Sequence, residues 1–260
     1  MKTKTKVITG IFVILLSATL AVSVYQVVKD LSQQKKGKED FAELLELCEI
    51  TEQLQTTPET TASPDVTTEP EPGTTIRHDV AVLRKRNTDC IAWISIPDTE
   101  ISYPVMHTPS EPQRYLRLNF DCKYSVSGVP FMDYRCTEES TNCIVYGHNM
   151  KNGTMFADLR FYTDKTFAKK HPEILWETGT DSHVYSIYAV ATVKKTDSWY
   201  NFIDADTEEE FKQQIVTLKS KALYTTDVEP IFGEKILTLS TCYGSEKNGR
   251  LIVVAVEKQS

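Results

Sequence analysis

The chain has 260 residues, enough for one or two domains of ordinary size, and carries 36 acidic against 29 basic residues for a net charge of −7. That balance, with no Lys/Arg stripe, argues against nucleic acid as a partner. The average composition hides three unlike parts.

Residues 1–6 are a short basic tail with Lys2, Lys4 and Lys6. Residues 7–28 are uncharged, from Val7 to Val28. Such a run is long enough to cross a bilayer as a helix, which needs about 20 residues, and it reads as a signal-anchor. The competing reading is a cleaved signal peptide with Ala21-Val22-Ser23 as its small-residue site, but the run exceeds the roughly 7–15 apolar residues usual for such a core. Lys29, Lys35, Lys36 and Lys38 follow, so the Lys/Arg count does not separate the two sides. With so short a tail, the simplest arrangement keeps it cytoplasmic and exports everything after it.

Residues 29–76 begin with Phe41, Leu44, Leu45 and Cys48 at helical spacing after Asp40, which predicts one short amphipathic helix. From Thr51 the chain turns Thr/Pro/Glu-rich and has almost nothing to bury, so it reads as an extended stalk or plain linker. Residues 77–260 are long enough for one domain with its own core.

Within that domain strand signals dominate. Cys90–Ile96 alternates in part and stops at Pro97-Asp98, and Ile101–Met106 reads as an edge strand because of Pro104. Tyr115–Phe120 reads as a turn or short helix. Gly128–Asp133 and Asn142–Gly147 read as strands, short helices follow near Met155–Leu159 and Asp164–Lys170, and strands return at Ile174–Glu177 and His183–Val193. One longer helix is expected at about Thr207 to Leu223, with Glu208, Glu209 and Glu210 in its first turn and Phe211, Ile215, Leu218 and Leu223 as its apolar stripe. The last two strands, Lys235–Cys242 and Arg250–Val256, flank a Gly-containing loop and read as a hairpin. Many short strands with few helices predict a mainly β fold, a closed or nearly closed barrel with helical insertions.

The hairpin places a thiol, Cys242, at the end of one strand and Arg250 at the start of its partner. A fixed positive charge favours thiolate over thiol, which makes Cys242 a candidate nucleophile; the alternative is an ordinary core cysteine. Of the six cysteines none lies in a Cys-x-x-Cys, no Cys/His spacing fits structural zinc, and Cys122 with Cys136 is the first pair to test for a disulfide. Of the five histidines, His148 follows a buried-looking strand and Gly147, so its ring should emerge at a sheet rim; His78, His107, His171 and His183 read as solvated or packing residues. The three groups together suit acyl transfer at an amide. A protonated His148 and Arg250 would raise the thiolate fraction, and His148 would pass a proton to the leaving amine. Arg250 and the backbone N–H of Tyr243 would face the oxyanion.

Thr238-Leu239-Ser240-Thr241-Cys242 resembles the T-L-x-T-C active-site signature of sortases, with Arg250 at the expected distance downstream. Tyr146-Gly147-His148-Asn149-Met150 is similar to the histidine motif of the class B branch. Trp93-Ile94, Tyr103-Pro104-Val105, Tyr115-Leu116, Asn119-Phe120, Gly128 and Phe131-Met132-Asp133-Tyr134-Arg135 extend that likeness in family order. The resemblance implies a closed eight-stranded β-barrel, a catalytic domain over 77–260 and a cysteine transpeptidase of the Gram-positive cell surface. Such an enzyme cleaves an L-P-x-T-G or N-P-x-T-N sorting signal after Thr and passes the protein, as a thioester, to an amine of a peptidoglycan precursor or a pilin lysine. It implies Cys242 as nucleophile, His148 as general acid/base and Arg250 as oxyanion or positioning group. Asn119, Ser240, Thr241, Tyr243 and Tyr200 are implied as substrate-binding residues. No cofactor or metal is implied. The residues alone leave open a thiol endopeptidase that releases its product to water, or a tethered adhesin or receptor module.

Overall fold

The computed structural model of the chain describes residues 2–52 and 75–258. In chain order the elements are helix α1 (Lys2–Cys48), strands β1 (Glu49–Glu52) and β2 (Thr75–His78), helix α2 (Val80–Arg86), and strands β3 (Cys90–Ser95), β4 (Ser102–Met106), β5 (Phe131–Met132) and β6 (Asn142–Tyr146). Helix α3 (Lys165–Lys170), strands β7 (Glu173–Glu177) and β8 (Ser182–Lys194), helix α4 (Glu208–Lys221) and strands β9 (Ala222–Thr225), β10 (Ile236–Cys242) and β11 (Gly249–Glu257) complete the chain.

The main sheet runs β11-β10-β6-β5-β4-β3-β7-β8-β9, and a further pairing of β11 with β8 closes it. Eight strands therefore form a closed barrel, and β9 is a short flap on β8. Closure depends on the length of β8. One of its edges takes β7 and then β9, while the other zips along β11 from Tyr185 to Lys194. Strands β10 and β11 are buried along almost their whole length, because the barrel interior fills one face and helices or loops cover the other.

Several expectations are revised. The short helix after Asp40 is the end of α1, which runs unbroken from Lys2. Its Leu44 and Cys48 join Val80, Leu83, Trp93 and Tyr115 in a second apolar cluster on the outside of β3, so the end of α1 packs on the domain. The β1–β2 ribbon continues this attachment, and His78 is buried against Glu177 with its ring stacked on Trp93. The Thr/Pro/Glu-rich stalk at 53–74 lies outside the described residues. Among the described residues no helix is long and apolar enough to cross a membrane. The described apolar stretch of α1 runs only from Leu16 to Val28 before charges begin at Lys29, and the side chains of the expected anchor at 7–15 lie outside the description.

Strand β4 is not an edge, since it lies between β3 and β5. Pro104 is tolerated because its nitrogen points to the same side as that of Met106, whose N–H donates to Pro130 O at 2.9 Å beyond the end of the short β5. Strand β5 is reduced to Phe131–Met132, because Gly128 sits at φ 59° with its Cα packed against the Tyr115 carbonyl and Pro130 has no N–H for a ladder. Helix α4 starts one residue after its Thr207 cap and buries Phe211, Ile215 and Leu218 as expected, but Leu223 falls on β9 and is exposed. All six cysteines are free: Cys136 Sγ donates to Asn142 O, whereas Cys122 lies exposed beside Arg114 and Tyr115.

Candidate active site

Three neighbouring strands bring the reactive side chains to one level. Strands β6 and β10 run parallel with Tyr146 opposite Ser240, so two residues further on His148 and Cys242 reach the same rim. Strand β11 returns antiparallel with Arg250 directly opposite Cys242. Neighbouring strands lie about 4.8 Å apart, so the three residues converge without any distortion of the barrel. They line a cleft of about 470 Å³ together with Tyr200, Ser240 and Thr241.

Local sequence fixes the rim. The Gly147 N–H donates to Ser240 O at 3.1 Å, prolonging the ladder by one residue, and Thr241 Oγ1 donates back to Gly147 O at 2.8 Å. A Cβ on Gly147 would lie 2.5 Å from the Phe156 ring, so glycine is what lets the chain turn there and release His148 toward the cleft. Asn149 Nδ2 donates to Cys242 O at 2.9 Å and ties the histidine loop to the thiol-bearing strand end. Cys242 itself is exposed, unlike a packed core cysteine.

His148 Nε2 lies 3.0 Å from Leu116 O. A carbonyl only accepts, so Nε2 carries the ring proton in the neutral form and Nδ1 holds the lone pair. Burial pushes the imidazole pKa below its ordinary value; the Leu116 carbonyl partly opposes this and the Arg117 charge adds to it. The ring therefore holds its second proton less firmly than a free imidazole does. The permanent charge opposite Cys242 is that of Arg250. The Arg250 guanidinium lines the cleft, with Nη1 donating to Gly249 O at 2.8 Å.

Tyr200 and Ser240 are buried in the cleft wall, their hydroxyls 2.7 Å apart. Burial pushes the Tyr200 phenol up to about 12, despite the Ser240 hydrogen bond and the Arg250 charge. Two expected residues are placed differently. Asn119 is turned away from the cleft: its amide donates to Asp40 of α1 at 3.0 Å while its oxygen accepts from the N–H groups of Asp121 and Lys123. The Tyr243 N–H is committed to Gly249 O at 3.1 Å, closing the hairpin, so it is not free to face an oxyanion. The four remaining histidines lie outside the cleft.

The sequence motifs assign no role to the cluster that backs Tyr200. Buried Asp133 accepts from Tyr146 OH at 2.8 Å and from Arg135 Nε and Nη2, and Arg135 Nη2 also donates to Tyr200 O at 2.6 Å. Burial alone would raise the Asp133 pKa, but these donors hold it below the usual carboxylate range. The visible signal was the alternating Asp133-Tyr134-Arg135 charge pair. Among the described residues no group of three or more His, Cys, Asp or Glu stands together as a metal site.

The family model described as a sortase domain matches residues 94–258. Sortase B of Listeria monocytogenes is 37% identical over 183 residues, 68% of this chain and 73% of that protein. The chain belongs to the sortase B family. Sortase B of Staphylococcus aureus is 29% identical over 184 residues, 69% of this chain and 75% of that protein. The structure of sortase B from B. anthracis in complex with AAEK1 superposes with a TM-score of 0.71 at 26% identity, covering 88% of this chain and 100% of that one. A Staphylococcus aureus sortase B–substrate complex gives a TM-score of 0.64 at 28% identity, covering 69% of this chain and 84% of that one. Sortases are cysteine transpeptidases that anchor proteins to the cell wall and act at the cell surface, so this sortase B is an enzyme of acyl transfer.

Proposed function

We propose that this sortase B cleaves an N-P-x-T-N- or L-P-x-T-G-like sorting signal after its Thr and transfers the protein to an amine acceptor of the cell wall or a pilin. The observation that carries the reading is the common level of His148, Cys242 and Arg250 across β6, β10 and β11. The Cys242 thiolate attacks the Thr carbonyl carbon, forming a C–S bond and an oxyanion that the Arg250 fork meets. The oxyanion collapses, the C–N bond breaks and a protonated His148 hands its proton to the departing amine. An incoming amine then gives its proton to His148 and attacks the thioester; the new C–N bond forms and Cys242 leaves as thiolate. Ser240, Thr241 and Tyr200 line the cleft that holds the peptide. The solved sortase B complexes with a substrate and with triglycine support a peptide donor and an oligoglycine-like acceptor.

Residues 7–28 hold the enzyme in the membrane, with 1–6 cytoplasmic and the catalytic domain outside. The exposed Leu16, Leu20, Val24 and Val27 of α1 support that reading, since lipid removes their contact with water. One experiment tests both parts. Full-length enzyme is recovered in alkali-washed membranes and incubated with a sorting peptide and triglycine. The expected result is a ligated peptide whose yield rises with triglycine. Hydrolysis indifferent to the amine would make it an endopeptidase, and activity wholly in the soluble fraction would refute the anchor.

The electrostatics of His148 give a pH prediction. The form that protonates the leaving amine is imidazolium, so the rate falls as pH rises through the pKa of His148. Arg117→Gln removes a charge that lowers this pKa, so the limb moves to higher pH. The profile of kcat/KM for the free enzyme reads it directly; a limb that stays put or moves down contradicts the assignment.

A further inference from the structure

The loop that carries His148 is braced from behind by a buried hydroxyl. Tyr103, on β4, is buried, and its oxygen accepts the Met155 N–H at 3.0 Å. Met155 is itself buried and sits at φ 60°, a left-handed conformation that a residue with a side chain disfavours unless its surroundings impose it. It closes the loop begun at His148. Asn149 and Met155 form an antiparallel bridge, the Phe156 N–H donates to His148 O at 2.9 Å, and the Phe156 ring lies against Gly147.

The same Tyr103 ring meets Phe41 of α1 edge-on, with centroids 5.1 Å apart at 78°. Between α1 and the loop lies a cavity of about 250 Å³, lined by Gly37, Lys38 and Phe41 on one side and Met150, Asn152 and Thr154 on the other. The cavity separates α1 from the loop on that flank, so the Tyr103 hydroxyl bond to Met155 supports the loop from behind, while the Asn149 bond to Cys242 O ties it at the rim. Burial pushes the Tyr103 phenol up to about 12, so the hydroxyl stays neutral throughout the working range.

We propose that Tyr103 is a positioning residue for His148: its hydroxyl fixes Met155, Met155 fixes the loop that aims the imidazole, and Phe41 seats α1 on the same ring. The N-terminal helix and the catalytic histidine thus share one support. This rests on the reading of His148 as general acid/base. The charged and titratable groups that share the imidazole's surroundings are Arg117 on the Leu116 side, Cys242 and Arg250 across the cleft, and Asp133, Tyr134, Arg135, Tyr146, Lys195 and Tyr200 along its lining, and a shifted loop changes its distance to them.

The test uses the full chain with Tyr103→Phe, which keeps the ring, and Phe41→Ala, which keeps the hydroxyl. In Tyr103→Phe, kcat for transfer should fall roughly tenfold or more, because small misplacements of a reacting group are costly. KM should stay within about twofold, since the substrate cleft is untouched. The His148 limb of the pH profile should move, and amide deuterium exchange should rise selectively over 149–155. Phe41→Ala should act in the same direction by a smaller factor. Faster exchange with unchanged kcat and limb would reduce Tyr103 to a structural residue, and a rise in KM alone would make it a substrate contact; either overturns the inference. A neutral Tyr103→Phe beside an inactive His148→Ala defeats the inference and spares the acid/base reading, whereas an active His148→Ala removes both.

Discussion

Cys242→Ala should lose at least about 10⁴-fold in turnover, because without a nucleophile the reaction must find a different first step. The fold should tolerate the change. Cys242 is exposed at the end of β10, its backbone pairs with Arg250, and its carbonyl still accepts from Asn149, so truncation opens no cavity. Mass spectrometry after mixing with a sorting peptide should find the thioester in the parent enzyme and none in the variant, at nearly equal thermal midpoints. The other thiols do not confuse the result. Burial pushes Cys48, Cys90 and Cys136 up to about 12 and Cys143 up to about 11, which leaves them protonated and inert. Cys122 is the remaining exposed cysteine, and Cys122→Ser should leave transfer unchanged. Thioester on any residue other than Cys242 would overturn the site.

Arg250→Lys should lose roughly 10²–10³-fold in kcat, about what removal of one oxyanion donor costs elsewhere. The charge survives this change but the planar fork does not. Nη1 is engaged with Gly249 O at 2.8 Å, which orients the plane and leaves other N–H groups for the oxyanion. A lysine ammonium in the same place can answer Gly249 or the oxyanion, with no fixed geometry for both. The committed N–H of Tyr243 sharpens the expectation, since the hairpin closure removes the most obvious backbone substitute. KM should change little, because the ground-state carbonyl carries much less charge than the tetrahedral intermediate. A loss confined to KM would assign Arg250 to ground-state binding of the peptide.

Burial lowers the pKa of His148, which makes its imidazolium a readier proton donor to the leaving amine. The Asp133–Arg135–Tyr146 cluster plays a different part. It holds Tyr200 through the Arg135 bond to its carbonyl and fixes Tyr146, whose ring stacks on that of Tyr200 in the cleft wall.

What the sequence by itself determined is the local chemistry: a thiol and a guanidinium facing each other across a hairpin, glycine before His148, a helix from about Thr207 with acidic residues in its first turn, and motifs in family order. These are legible because hairpin register, turn residues and helix periodicity depend on neighbours a few positions apart. The tertiary structure alone decided that β6 lies parallel to β10, which brings His148 level with Cys242 from almost a hundred positions away. It also decided that Pro104 sits inside the sheet, that Asn119 turns toward α1, that the Tyr243 N–H is already used, and that Tyr103 backs the histidine loop. The physical reason is common to all of these. Which donor meets which acceptor, and how far a ring is removed from water, depends on strands and helices that the chain brings together only when the barrel closes.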